Sequence, residues 1–171
     1  MKSIFVVIAL FLPLISTASQ STLIDFAIED QFGRVRTNDE FENKVVILVG
    51  SGRASSENNE KWGNAIGAWM DDQEVFDTTR VIFIPHADLS AVPKMLRPVA
   101  RTFFPKKDST RWALLDWEGK LTDAYDYVAD KSNILIFDKN HHLQLHIAGT
   151  EPEEEKLARI YQTLAEVLKQ E

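Results

Sequence analysis

The feature that most constrains the fold is the stretch NKVVILVGSGRASSENNEKWG, residues 43–63. Its apolar run, residues 45–49, is continuous and β-branched, which is typical of a strand covered on both faces. Small polar residues follow, and then apolar residues recur at helical spacing, namely Trp62, Ala65, Ile66, Trp69 and Met70. Such a strand needs packing layers on both sides, and 171 residues suffice for one layered α/β domain.

Further elements can be predicted along the chain. Alternating apolar residues around a turn at Asp30 to Gly33 predict an N-terminal hairpin. The segment RVIFIPHADLS is a second buried strand, and AVPKMLRPVARTFF predicts a helix that Ser90 caps and Pro98 kinks or splits. RWALLDWEGKL predicts a strand with a turn at Asp116 to Gly119.

The last part of the chain has the clearest signals. NILIFDKNHHLQLHIAG predicts a buried strand, a tight turn and an alternating strand. A closing amphipathic helix follows, for which Thr150 and Glu153 form a candidate capping box. The whole order predicts an α/β fold with a mixed sheet, helices on both of its faces and a hairpin before it.

Residues 1–18 have the pattern of a secretory signal peptide rather than of a folded element. Lys2 precedes an apolar stretch, residues 4–15, and small residues end the segment at Ala18. We therefore expect cleavage after Ala18, a single domain over residues 19–171, and a periplasmic or secreted protein. No later segment approaches the roughly 20 apolar residues that a membrane span needs, so no stable span is expected after cleavage.

The chain contains no cysteine. A disulfide framework, a thiolate metal site and a lipid-modified cysteine are therefore excluded. Any activity must proceed without thiol chemistry.

Charge limits the classes of partner. The net charge is −7, and loss of Lys2 with the signal peptide makes it −8, which argues against general nucleic-acid binding. Positive charge is nevertheless concentrated in one window, where only Asp108 opposes six cations: Lys94, Arg97, Arg101, Lys106, Lys107 and Arg111. This window is the candidate surface for an acidic partner, a protein or a glycan.

The same window has two helical faces. Lys94, Arg97 and Arg101 share one face, and an apolar set lies opposite or beside it: Met95, Leu96, Val99 and Phe103. The ordinary interpretation is that the basic face is solvated. An anionic membrane surface is the less favoured partner, because membrane binding also needs an exposed apolar face.

A second candidate site lies where the two buried strands end. The carboxyl ends of parallel strands meet at one crevice, so Ser51 and Arg53 are expected near His86 and Asp88. Together with Ser55, Ser56 and the free N–H groups of the first helix, Arg53 would suit a small anion or a carboxylate. The competing interpretation is that these residues cap the helix and hold loops.

Spacing disfavours three other interpretations, which concern the glycine loop, Ser51 and the histidines after the last turn. The glycines at 50 and 52 match a dinucleotide fingerprint only in part, because Ser55 replaces its third glycine. A Gly-x-Ser-x-Gly nucleophile fails because Val49 and Arg53 flank Ser51 at the glycine positions. His142 and His146, on one strand face, would lie about 13 Å apart, too far for one metal ion, and with His141 they are interpreted as polar turn or strand residues. No cofactor and no metal are expected.

The element order, the opening IEDQFGR and the closing ILIFDKNHHLQLHIAG resemble the thioredoxin-like fold in its redoxin form. Within it, GSGRASSEN and DKSNILIFDKN look most similar to the YtfJ-like periplasmic proteins. The resemblance implies a thioredoxin-like mixed sheet flanked by helices, and reactive cysteines at the junction of strand and helix. Serines occupy that junction here, and Ser132 and Asn133 stand where the family usually has a cis-proline.

Two functions follow from the sequence. The preferred one is an exported, redox-inactive binding or regulatory module, which is no cysteine-dependent oxidoreductase or peroxidase. The alternative is an enzyme or small-anion binder that uses the crevice at Ser51, Arg53, His86 and Asp88 without thiol chemistry.

Overall fold

A computed structural model describes residues 21–72 and 78–169. The predicted signal peptide and its cleavage site lie outside these residues. The described chain begins with a hairpin in which β1 (Ala27–Glu29) pairs antiparallel with β2 (Val35–Thr37). The turn from Asp30 to Gly33 joins them, as the sequence predicts, and the Gly33 N–H donates to the Asp30 carbonyl at 3.0 Å.

The main sheet has five strands. They are β3 (Val45–Ser51), β4 (Val81–Asp88), β5 (Leu114–Asp116), β6 (Ser132–Phe137) and β7 (Leu143–Gly149). Their order across the sheet is β5-β4-β3-β6-β7, so β3 is central. β3 is parallel to β4 and antiparallel to β6, β4 is parallel to β5, and β6 is antiparallel to β7. The predicted mixed sheet is thereby confirmed.

Four α-helices accompany the sheet in the described chain. They are α1 (Ser56–Asp72), α2 (Arg97–Arg101), α3 (Lys120–Ala124) and α4 (Glu154–Lys169). α1 and α4 cover one sheet face, where Trp62, Ile66, Ile160 and Leu164 pack against alternate residues of β3 and β6. The other face is covered by the hairpin and by α3, which contribute Phe26, Ile28, Leu121 and the adjoining Tyr125.

The structure differs from the sequence predictions at three places, where proline or contacts between distant residues determine where a helix begins or ends. The helix expected after β4 is short: a 3-10 turn, Lys94–Leu96, leads into α2, and Ser90 lies too far upstream to cap it. The candidate capping box of the last helix is also wrong, because α4 begins only at Glu154, beyond Pro152. α3 escaped prediction because five residues are too few to show a helical period.

Asp30 is the polar centre of the hairpin. Its carboxylate is fully buried and accepts the N–H groups of Phe32 and Arg34, together with the guanidinium groups of Arg34 at 2.7 Å and Arg36 at 3.2 Å. Burial raises the pKa of Asp30, but the hydrogen bonds from Arg34 and Phe32 outweigh it and hold the pKa below its usual value. The residue also bridges to Leu114 of β5.

Replacing Asp30 by Asn should destabilise the fold by about 2–3 kcal/mol, because the buried group loses its charge while two arginines remain beside it. The free energy of unfolding in urea measures this. Asp39→Asn, an exposed acid in the next turn, is the control and should change it by less than about 0.5 kcal/mol. A loss equally small for Asp30→Asn would contradict the assignment.

Candidate functional site

The junction between β3 and α1 is a polar loop whose residues 52–54 are exposed. A 3-10 turn, Arg53–Ser55, connects the two elements. The Ser51 hydroxyl donates to the Gly52 carbonyl at 2.9 Å, and the Ser56 hydroxyl donates to the Arg53 carbonyl at 3.0 Å. Arg53 is exposed, and no hydrogen bond or ion pair joins its side chain to another described residue. Ser55 is buried.

The predicted crevice residues lie on two different faces of the sheet. In the parallel register Gly50 is opposite His86 and Ser51 is opposite Ala87. His86 lies on the face of Gly50, and the side chain of the next residue in a strand points to the opposite face. Ser51 therefore lies on the side of α1 and His86 on the side of α3, so the structure does not bring them together.

His86 and Asp88 do share a face, and there Asp116 joins them. The Asp88 carboxylate accepts the Ser90 N–H at 2.9 Å, which fixes the turn after β4. Nε2 of the buried His86 lies 3.4 Å from the Asp116 carboxylate. Burial raises the pKa of Asp116, but hydrogen bonds from His86 and from the Leu121 N–H outweigh it and leave the pKa below its usual value. No local sequence motif marks Asp116 as a partner of His86, because strand register brings the two together.

A glycine notch lies next to this pair. A Cβ atom on Gly50 would come within 2.5 Å of His86 Nδ1 and 2.9 Å of the Tyr127 hydroxyl. Both of those atoms are buried and have no hydrogen-bond partner among the described residues. Burial raises the pKa of Tyr127 well above its usual value, so the hydroxyl keeps its proton. Close packing against His86 and Tyr127, and not a phosphate-binding role, therefore accounts for the glycine at position 50.

Asn133 completes the row of polar side chains across this face. Its amide accepts the Val128 N–H at 2.9 Å and donates to the carbonyls of Val128 and Lys131, both at 3.1 Å. His146 Nε2 lies 3.0 Å from the Asn133 carbonyl oxygen. The neighbouring Ser132 hydroxyl donates to the Asn59 side chain at 2.6 Å and so ties β6 to α1. Ser132 and Asn133 thus each have hydrogen-bond partners of their own at the position where the sequence resemblance leads one to expect a cis-proline.

Two arginines of the basic window point inward. Arg97 donates to Glu118 at 2.9 Å and to the Trp117 carbonyl at 2.9 Å, and its guanidinium lies over the Trp117 ring. Arg101 pairs with Glu29 of the hairpin and lies over the same ring. Only 23% and 26% of these two side chains are exposed. The fold thus uses both arginines as anchors.

The apolar face of the same turns points outward. We call this set the apolar ridge: Met95, Leu96, Val99 and Phe103. Their exposed fractions are 83%, 50%, 56% and 80%. About four fifths of the surface of Met95 and Phe103 is exposed, so few neighbours lie beside them and the ridge protrudes from the surface. Large exposed apolar clusters mark interaction sites in soluble proteins.

Cations remain exposed at both ends of the apolar ridge. We call them the cationic rim: Lys94, Lys106, Lys107 and Arg111. Asp108 alone opposes them within this segment, at 3.8 Å from Arg111. Gln31 of the hairpin turn holds this segment in place. Its side-chain amide donates to the carbonyls of Pro105 at 3.3 Å and Arg111 at 3.0 Å. The candidate surface thus consists of the apolar ridge with the cationic rim at its two ends.

The three C-terminal histidines have separate partners. His141 Nε2 lies 3.0 Å from the Phe41 carbonyl, His142 lies 3.5 Å from Asp138, and His146 contacts Asn133. Within residues 21–72 and 78–169, no group of three or more acidic or histidine side chains is placed to hold a metal ion. No helix in these ranges is long and apolar enough to cross a membrane.

Comparison with known proteins shows the fold. No family model and no curated protein matches the chain. Solved structures do match. The exposed lipoprotein thioredoxin Etrx1 of Streptococcus pneumoniae is 18% identical with a TM-score of 0.56, over 84% of this chain and 99% of that one. StoA of Bacillus subtilis is 11% identical with a TM-score of 0.56, over 85% and 99%.

A third similar structure is the thioredoxin domain of a thiol-disulfide oxidoreductase from Bacteroides vulgatus. It is 14% identical, with a TM-score of 0.55, over 90% of this chain and all of that one. The chain therefore has a thioredoxin-like fold of the redoxin type, as the sequence predicts. It does so without a single cysteine. Identities this low show the fold alone.

Replacing Gly50 by Ala should destabilise the protein by about 2 kcal/mol or more, because the new methyl group would overlap the His86 ring, which Asp116 holds in place. Urea unfolding measures the change. Gly52→Ala is the matched control, since a Cβ there meets no atom within 4 Å. Equal stability of the two variants would refute the packing role of Gly50.

Acidification should weaken the fold through His146. Burial lowers its pKa below 6.5, so its stabilising contribution is complete above pH 6.5 and is lost as the pH falls through the lower folded-state value. Thermal unfolding between about pH 7.5 and pH 5 should show a steeper fall in Tm for the native chain than for His146→Gln. Identical slopes would argue against a half-buried neutral imidazole.

Proposed function

We propose that this chain is an exported, redox-inactive binding module that engages an acidic partner through the apolar ridge and the cationic rim. The observation that carries the proposal is the orientation of residues 94–103: the arginines face the protein body, and the four ridge side chains face outward. Two anchored arginines, Arg97 and Arg101, hold an apolar surface outside the core. Such a surface has a use in binding and none in folding.

Redox inactivity is supported by chemistry. Serine stands at the junction where thioredoxin-like enzymes carry reactive cysteines, and a serine hydroxyl neither forms a disulfide nor ionises near neutral pH. The chain has no cysteine elsewhere that could replace them. A thiol-disulfide exchange reaction therefore has no nucleophile in this protein.

Export is supported by the signal-peptide pattern of residues 1–18, and one of the similar structures is that of an exposed lipoprotein thioredoxin. The likeness to YtfJ-like periplasmic proteins rests on GSGRASSEN and DKSNILIFDKN and belongs to the same proposal. The mature protein would begin at Ser19 and work in the periplasm or outside the cell.

The alternative function at the crevice is less favoured. It needs Ser51, Arg53 and His86 to converge on one substrate, but Ser51 and His86 face opposite sides of the sheet. His86 is also buried beneath Tyr127, and its ring contacts that of Tyr127 edge-on at 5.5 Å. A soluble substrate would have to displace this packing to reach the imidazole.

The test compares a ridge variant with a control variant of equal chemistry. The chain beginning at Ser19 is labelled, incubated with a cell-envelope extract, and its partner-bound fraction is measured by sedimentation and size exclusion. Val99→Ser with Phe103→Ser should lower that fraction roughly tenfold, because well-packed apolar anchors dominate binding. Val35→Ser with Val128→Ser removes two exposed apolar side chains elsewhere and should leave it unchanged.

Both variants should keep the native Tm within a few degrees, since the exchanged side chains are exposed. The proposal fails if the native chain stays free in the extract. It also fails if the ridge variant and the control variant bind alike.

A further inference from the structure

We infer that the acidic partner of the apolar ridge is the surface of an anionic phospholipid membrane. This inference rests on the proposed binding function and names the partner class of that surface. Its starting point is the exposed apolar face, which the sequence could not establish. Interfacial membrane binding requires an apolar face next to cationic side chains, and residues 94–111 present both.

The shape of the ridge favours a bilayer. Met95 and Phe103 are exposed to 83% and 80%, so they protrude from the surface. A folded partner would need a concave apolar site that matches the apolar ridge. A fluid bilayer needs no matching shape, because lipid chains rearrange around an inserted side chain.

Helical geometry places the apolar ridge on one side of this segment. Leu96 N–H bonds the Pro93 carbonyl, and Phe103 N–H bonds the Ala100 carbonyl, so the turns run without a break from the 3-10 segment through α2. Met95, Val99 and Phe103 are four residues apart, and Leu96 lies beside them at three residues from Val99. All four could enter the headgroup region together.

The charges are arranged for phosphate headgroups. Lys94 precedes the apolar ridge directly, and Lys106 and Lys107 follow it by three and four residues. Long cationic side chains can reach headgroups from such positions while apolar neighbours insert. The two arginines of the segment contribute little to this charge, because Glu118 and Glu29 neutralise them.

The negative net charge sets the orientation of binding. The chain that begins at Ser19 has a net charge of −8 and is repelled as a whole by an anionic surface. Beyond about 10 Å that repulsion is screened at ordinary salt, so only the face nearest the bilayer matters. The cationic rim makes this face the one that is attracted.

The absence of cysteine permits a site-specific test. A single cysteine introduced as Met95→Cys can carry an environment-sensitive fluorophore, and Val35→Cys on the hairpin serves as the matched control. Both labelled chains begin at Ser19, which retains every described element of the fold. They are titrated with vesicles of pure phosphatidylcholine and with vesicles that also contain phosphatidylglycerol.

We expect the label at position 95 to shift to the blue on phosphatidylglycerol vesicles and the label at position 35 to stay unchanged. Val99→Ser with Phe103→Ser should weaken vesicle binding roughly tenfold, since apolar burial drives insertion. Lys106→Gln with Lys107→Gln should weaken it several-fold, and raising the salt from about 0.05 M to about 0.5 M should do the same.

Lack of binding to phosphatidylglycerol vesicles, or equal shifts at positions 95 and 35, would overturn the inference. If the ridge-dependent partner in the envelope extract proves to be a protein that binds after lipid removal, the membrane inference fails while the proposed binding function stands. If the extract shows no ridge-dependent binding either, both fail. Circular dichroism and Tm of each variant confirm that a loss of binding is not a loss of folding.

Discussion

The whole structure depends on the burial of β3 on both of its faces. All seven residues of Val45–Ser51 are buried, and alternate side chains enter the two separate apolar clusters of the domain. β4 and β6 add to its two edges, so every later strand takes its position from this one. Because side chains alternate along a strand, β3 also decides which polar residues can meet at its carboxyl end. That is why Ser51 and His86 lie apart although their strands are neighbours.

A second principle governs the segment between β4 and β5. An amphipathic helix normally buries its apolar stripe and leaves its charges in water. Here the order is reversed, because acceptors outside the segment, the carboxylates of Glu29 and Glu118 and the Trp117 carbonyl, hold the arginines against the body. The Trp117 ring lies beneath both guanidinium groups and adds cation–π attraction. The apolar side chains of the ridge remain half or more exposed, which makes their exposure a consequence of the polar anchors.

The sequence predicts the parts of this fold that local pattern decides. The continuous run of β3, the stripe of α1 and the turn after Asp30 each carry their own signal, and their order indicates the sheet. The two faces of residues 94–103 are also visible in the sequence. Which of them turns inward is not, because Glu29 and Glu118 lie far away in the chain. The pairing of His86 with Asp116 likewise depends on strand register, which no local motif encodes.

The anchored ridge separates two demands that usually compete within one set of residues. Core side chains are constrained by packing, so a change that alters recognition there also alters stability. The ridge side chains are surrounded mainly by water, whereas the arginines and their acceptors hold the segment in shape. A substitution in the apolar ridge can therefore change which partner the protein binds, while the free energy of unfolding changes little. A lineage of such chains could diversify its targets on a constant scaffold, much as loops do in other binding proteins.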